Sequence, residues 1–338
     1  MIIFLYLLFA VVVILTFLEF TMLFLVRNPK VLQKLSRKLQ NSIGYLYAQG
    51  ERKIMQFHEE SGQYHPEFGY TLKPGEFIFT EREFSNVYFV NSLGVRDTEE
   101  SLNTPEIIVA GDSYALGWGV NQEETFAKLL EQKINCKTLN MAVPSYGTVR
   151  EMMMLSKVDR SKLKCLIIQY CGDDYDENMR FYINGNRPQI MRAETFRKLA
   201  VTHSRYKKYF FGKYLLIKIQ KKAEEWEPSS STAATECKLN DVDLFLHVLK
   251  QNDKMLSSLP IIVFEMNGKD QVNIFTTGLL QKAADKKNPP FIRNMIVLDM
   301  SRYLQDKHFY VLDGHLTFQG SIIVADVLYN TIKEAEII

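Results

Sequence analysis

The sequence predicts an α/β protein: a three-layer sandwich around a central parallel sheet, preceded by a transmembrane helix. Three observations carry this. From residue 107 to 334, short wholly apolar runs alternate with amphipathic segments. Parallel strands read as continuous apolar runs because helices cover both faces of their sheet. The first 26 residues carry one charge, Glu19. Finally, Gly111-Asp112-Ser113 closes one apolar run, and Asp313-Gly314-His315 directly precedes the last amphipathic segment.

Residues 1–26 would reach about 39 Å as a helix, enough to cross a bilayer with some tilt. No basic segment precedes them and no small-x-small site follows, so they read as a retained single-pass anchor rather than a cleaved signal. Arg27, Lys30, Lys34, Arg37 and Lys38 follow the helix, and the positive-inside rule then places the bulk of the chain in the cytoplasm. Glu19 lies near an interface or contacts a membrane protein partner. The next stretch, 31–57, reads as one basic amphipathic helix with Leu32, Leu35, Leu39, Ile43 and Leu46 on its apolar stripe. It would lie on an anionic membrane surface or pack against the domain.

Residues 60–100 carry Phe77-Ile78-Phe79 and Val87-Tyr88-Phe89-Val90, which predict short antiparallel strands. The core pattern follows as strand 107–110, helix 123–134, strand 136–141, helix 148–158 and strand 165–170. It resumes as helix 241–257, strand 261–265, helix 272–285, strand 295–299 and helix 317–334. Five such strands fit a flavodoxin-like order. The interruption, 175–238, reads as irregular. Its basic, aromatic part at 205–222 would be a lid or a covering helix, and the stretch from Glu227-Pro228 a linker. The expected organisation is an anchor at 1–26, a juxtamembrane helix at 27–58, a β-rich lead-in at 59–104 and an α/β domain at 105–338 with an insertion at about 180–236.

With 41 basic and 39 acidic residues among 338, the chain as a whole implies no polyanionic partner. No nucleic-acid module accompanies the basic segment, so nucleic acid is not expected as a partner. Cys136, Cys165, Cys171 and Cys237 form no CxxC pair. They read as buried free thiols, and no metal site is expected.

The two short motifs carry the chemistry. A serine hydroxyl is a poor nucleophile near neutral pH; it needs an imidazole to take its proton and a carboxylate to fix the tautomer. Ser113, on a tight turn after a buried strand, is placed where an α/β sheet exposes a nucleophile. His315 and Asp313 supply the base and its orienter. The histidines at 58, 65, 203, 247 and 308 lack such context and read as structural.

The chain resembles the SGNH (GDSL-like) hydrolase superfamily, in the branch that carries an N-terminal membrane helix. The resemblance covers about 105–335 without the insertion, and it rests on four blocks. Ala110-Gly111-Asp112-Ser113, trailed by Gly117-Trp118-Gly119, resembles the first and implies that Ser113 is the nucleophile and its N–H an oxyanion donor. Asn140 to Gly147 resembles the second, with Ser145 where the family usually has glycine; its N–H is implied as the second donor if the turn keeps its shape. Cys171-Gly172-Asp173-Asp174 stands where the family reads Gly-Asn-Asp, so Asp173 takes the place of a donating asparagine. A carboxylate cannot donate, so Asp173 would serve only if burial keeps it protonated, or else Asn178 would swing in. Asp313-Gly314-His315, trailed by Gly320, resembles the fourth block. Asp112 and Asp174 are implied as structural supports.

The resemblance implies a membrane-anchored serine esterase or O-acyltransferase acting on acyl esters, with acetyl groups on a glycan as substrate and no metal or organic cofactor. It also implies an exported domain, against the positive-inside count. A second reading is a lipid or thioester hydrolase held at the bilayer by the basic helices. A third is a catalytically weakened binding or assembly subunit.

Overall fold

The computed structural model describes residues 1–205, 208–226, 239–269 and 273–338. The linker from Glu227-Pro228, Cys237 and part of the basic segment, 206–207, lie outside the described residues.

Helix α1 (Ile2–Arg27) is long and apolar enough to cross a membrane. Residues 2–18 are nearly bare, whereas Glu19, Met22, Leu23, Leu25 and Val26 are buried by the rest of the chain. The single helix expected over 31–57 is instead two, α2 (Pro29–Leu32) and α3 (Arg37–Gly50), and the remainder is mostly irregular. The break has a local cause. Ser36 is extended at the start of α3, and the Gln40 amide turns back to donate to the carbonyls of Gln33 and Leu35 at 3.1 and 2.9 Å. Ile43, Leu46 and Tyr47 of α3 then pack with Met22 and Val26 of α1, so α3 covers the domain.

Two antiparallel hairpins lead in: β1 (Gly62–His65) with β2 (Gly69–Leu72), and β3 (Gly75–Thr80) with β4 (Ser85–Val90). The core follows as β5 (Ile107–Ala110), α4 (Ser113–Leu116), α5 (Phe126–Ile134), β6 (Thr138–Asn140), α6 (Thr148–Leu155) and β7 (Cys165–Tyr170). The 175–238 stretch is not irregular where it is described. It forms α7 (Asp174–Ile183), α8 (Ala193–Arg205) and α9 (Lys213–Trp226). The chain closes with α10 (Asp241–Gln251), α11 (Asp253–Leu256), β8 (Ile261–Glu265), α12 (Ile274–Ala283), α13 (Pro290–Arg293), β9 (Ile296–Leu298) and α14 (Phe318–Glu334).

The five core strands are parallel in the order β6-β5-β7-β8-β9, the expected flavodoxin-like arrangement. Strand side chains alternate between two cores, as a period of two requires. Ile108, Ala110, Leu166, Ile168 and Val263 meet α6, α10 and α12 on one face. Ile107, Val109, Cys165, Ile167 and Phe264 meet α5 and α14 on the other. Three layers result, and the loops at the carboxyl ends of the strands are left to build a site.

Glu19 has a specific task. It is fully buried, and its carboxylate accepts from the backbone N–H groups of Tyr214 and Leu215 at 3.2 and 3.0 Å. These are orphan donors in the first turn of α9, so a residue of the apolar helix caps a helix nearly two hundred residues away. Glu19→Ala removes the acceptor and is expected to cost α9 about 1–2 kcal/mol of local stability. Hydrogen exchange on the detergent-solubilised chain should show faster exchange at Tyr214 and Leu215, with partial recovery in Glu19→Gln. Unchanged exchange in both variants would remove this role.

Candidate active site

The site is assembled at the carboxyl edge of the sheet. After β5 the chain turns at Gly111, whose φ is +155°. A Cβ there would meet the Gln169 side-chain oxygen at 2.6 Å and Ala115 at 2.7 Å, so only glycine fits. That same Gln169 oxygen, reaching over from β7, accepts from the N–H groups of Asp112 and Ala115 at 3.1 and 3.2 Å. The Asp112 carboxylate accepts from Tyr114 N–H at 2.9 Å. Ser113 is thereby fixed at the head of α4.

Ser113 Oγ lies 2.7 Å from His315 Nε2, and His315 Nδ1 pairs with the Asp313 carboxylate. Trp118 stacks on the imidazole at 5.1 Å and 19°, while Tyr114 lies against it at 4.7 Å. The Trp118 indole N–H also donates to Asp313 Oδ2 at 3.3 Å. Burial opposes ionisation of Asp313, yet the charges of His315 and Arg52 and the bonds from His315 and Trp118 hold its carboxyl below its ordinary value. Asp313 is therefore an anion at neutral pH, suited to hold one tautomer of His315.

The loop carrying this pair hangs on a residue that sequence reasoning missed. Glu83, just before β4, accepts from three consecutive backbone N–H groups, those of Val311, Leu312 and Asp313, at 2.8, 2.8 and 3.0 Å. Arg96 does the same work for the segment after Ser113. Fully buried, it donates to the carbonyls of Gly117 and Val120 at 2.6 Å and stacks on Tyr88 at 3.8 Å. No sequence motif marks Gln169, Glu83 or Arg96, because their partners are remote in the chain.

The second loop places Ser145 in the left-handed region, with φ +58°. Three contacts hold it. The Ser145 carbonyl accepts from Tyr70 OH at 3.1 Å and from Arg150 Nη2 at 2.5 Å, and its hydroxyl accepts from Gln56 at 3.1 Å. Arg150 itself stacks on Tyr70 and Tyr146 and is bound by Glu177. The backbone N–H groups of Ser113 and Ser145 donate to no acceptor among the described residues.

Asp173 is placed differently from the expectation. It is exposed at the start of α7 rather than buried. Asn178 does not replace it. That side chain is buried and donates to Thr148 Oγ1 at 3.2 Å. The Gly172 N–H is instead taken by Asn267 at 2.7 Å.

Below these loops three carboxyl groups share the interior. Burial pushes Asp112 up to about 6, helped by the charge of Asp173 and opposed by Tyr114 N–H and His315. Asp174 accepts from Thr148 N–H and Oγ1 at 3.0 and 2.8 Å, linking the second and third blocks; burial and Asp112 push it well up. Glu151 has no partner for either oxygen among the described residues, and burial with Asp174 and Asp112 pushes it well up too.

The remaining histidines lie elsewhere. His247 meets Asn186 at 2.6 Å, His203 stacks on Phe57, His65 on Phe68, His308 closes a turn with Gln305, and His58 accepts from Glu60 N–H. Cys136, Cys165 and Cys171 are buried free thiols.

No family model matches the chain, and no curated protein matches it. Among solved structures it is similar to a protein assigned to the lipolytic G-D-S-L family from Desulfitobacterium hafniense DCB-2, at 12% identity and a TM-score of 0.40, over 67% of this chain and 98% of that one. It is also similar to a carbohydrate esterase, at 11% identity and a TM-score of 0.39, over 68% of this chain and 65% of that one.

Glu151 generates a prediction with a definite sign. Its folded carboxyl keeps its proton above the ordinary value of 4.5, whereas in the unfolded chain it ionises near that value. The folded state thus binds more protons, and stability falls as pH rises from about 4.5 until the folded group titrates. Glu151→Gln removes this loss. In thermal melts it is expected to match the parent at pH 4 and to exceed it at pH 8. A gap that does not widen with pH would sink the assignment.

Proposed function

We propose that the chain is a membrane-anchored serine esterase or O-acyltransferase of SGNH type, with Ser113 as nucleophile, His315 as base and Asp313 as its orienter. The observation that carries this reading is the hydrogen-bonded line from Ser113 Oγ through both ring nitrogens of His315 to Asp313. Two unengaged amides, of Ser113 and Ser145, lie in adjoining loops. In the reaction Ser113 Oγ attacks the ester carbonyl carbon as its proton passes to His315 Nε2. Asp313 stabilises the imidazolium, and the two amides receive the oxyanion of the tetrahedral intermediate. Collapse breaks the bond to the leaving alcohol, which takes the proton from His315. The acyl-enzyme then passes its acyl group to water or to an acceptor hydroxyl by the same steps in reverse. Acetyl esters of a glycan are the substrate class suggested by the resemblance.

Anchoring is supported by the bare stretch of α1 over 2–18, about 25 Å long as a helix. Phe211 meets Phe20 of α1 at a tilt, ring centroids 6.0 Å apart, and Phe210, Phe211, Leu216 and Ile219 are exposed. Such side chains suit the boundary between headgroups and acyl chains.

A second reading, a binding subunit on a weakened hydrolase, is favoured by one observation: an exposed carboxylate, Asp173, where the family places a donor. The two readings separate in one assay. The detergent-solubilised full chain is expected to hydrolyse p-nitrophenyl acetate, and Ser113→Ala to abolish this. One oxyanion donor is worth about 10²–10³ in rate, so Asp173→Asn is expected to raise kcat at least about tenfold if the new amide reaches the oxyanion. Turnover that survives Ser113→Ala would defeat the serine mechanism. Folded but silent parent and Asp173→Asn proteins would favour the binding subunit.

A further inference from the structure

A cleft of about 780 Å³ opens beside the site, and Ser145 and Gln56 form part of its wall. The volume falls within the ~300–1,000 Å³ of ordinary ligand clefts. Ser145 belongs to this wall as well as to the turn expected to bind the oxyanion, so the cleft adjoins the proposed oxyanion site.

The charge of the cleft is one-sided. Arg150, Arg180 and Arg192 line it with a single carboxylate, that of Glu177. Glu177 is already taken by Arg150, at 2.7 Å. Arg180 and Arg192 form no ion pair among the described residues and are exposed at the mouth. Two guanidinium groups are therefore left for an occupant, and their planar forks match carboxylate and phosphate oxygens.

The rest of the wall argues against an acyl chain. Gln56, Gln189 and Thr195 add polar groups, and aromatic rings, among them Phe57 and Tyr70, make up half of the apolar residues. A fatty chain would strip water from the arginines with nothing in exchange. A saccharide offers hydroxyls to the amides and apolar ring faces to the aromatics.

We propose that this cleft binds an oxyanion-bearing saccharide, a uronate or a sugar phosphate, through Arg180 and Arg192. This deepens the esterase reading by giving the acylated glycan a negative charge next to the ester. It rests on that reading for the word substrate, but the binding itself does not need turnover.

The test is accordingly an equilibrium one, calorimetry on the full-length chain in detergent with trigalacturonate, glucose 1-phosphate and neutral maltotriose as probes. At least one anionic probe is expected to bind about tenfold or more tightly than maltotriose, and to weaken as salt rises. Which of them binds tells carboxylate from phosphate. R180Q/R192Q is expected to erase that preference and R180K/R192K to keep part of it; the salt dependence in the parent stands as a check should a variant fold poorly. Equal binding of all three probes, or binding of none, would overturn the proposal. So would displacement by phosphatidylglycerol bicelles with no binding of either sugar anion, which would assign the cleft to lipid headgroups. If the anion binds while Ser113→Ala leaves esterase turnover intact, the cleft stands and the serine mechanism fails.

Discussion

Segments distant in the chain are joined, again and again, by a carboxylate that accepts backbone N–H groups from elsewhere. Glu19 holds the start of α9, Glu83 the loop at 311–313, Asp97 the end of β6 through Asn140 N–H, and Asp174 and Glu177 the start of α6. The physics is reciprocal. A buried amide without an acceptor is costly, and a buried carboxylate without donors is costlier still. Each pairing gives both groups a partner and so removes both penalties. Most of these carboxylates stand at the edge where the site is built, so its loops are fixed less by apolar packing than by acids reaching across to bare amides.

This explains how Ser145 tolerates a conformation usually left to glycine. A left-handed residue with a Cβ costs about 1–2 kcal/mol, and such strain persists only where neighbours over-determine it. Tyr70 and Arg150 pin the Ser145 carbonyl, Glu177 pins the following turn through Gly147 N–H, and Gln56 takes the hydroxyl. Asp173 has no comparable restraint. Its side chain faces solvent at a helix start, where a negative charge is favoured by the helix dipole. The site thus combines tightly held turns at Ser113, His315 and Ser145 with an exposed third position, Asp173.

Legibility in the sequence followed the range of the interaction. The strands at 107–110, 165–170 and 261–265 coincide with β5, β7 and β8, because a run of buried apolar residues is a local signal. The five-strand order and the pairing of a Gly-Asp-Ser turn with a late Asp-Gly-His were legible for the same reason. The break in the 31–57 helix was not, since it depends on Gln40 folding back on two carbonyls. In the 175–238 stretch a helix was legible within 205–222, where α9 lies, whereas α7 and α8 were hidden by mixed polar and apolar faces. Glu83, Arg96, Gln169 and Arg150 were invisible as site residues, because nothing in the local sequence tells a buried tether from a surface charge.

The tethers also tie the candidate site to the apolar helix. Leu312 directly precedes Asp313 and is buried in the cluster formed by α1, α3 and α9. Gly44 of α3 lies so close that a Cβ there would meet the Leu312 carbonyl at 3.2 Å. The loop bearing Asp313 and His315 is therefore gripped twice, by the Glu83 carboxylate through its amides and by the α1–α3–α9 cluster through Leu312. Taking away α1 and α3 would remove one of the two grips and expose Leu312 and Tyr214. A chain cut back to its lead-in and α/β core would keep the turn at Ser113, which rests on Gln169 and Arg96. It would lose the support of the base. The N-terminal helices are, on this geometry, part of what holds His315 in line with Ser113.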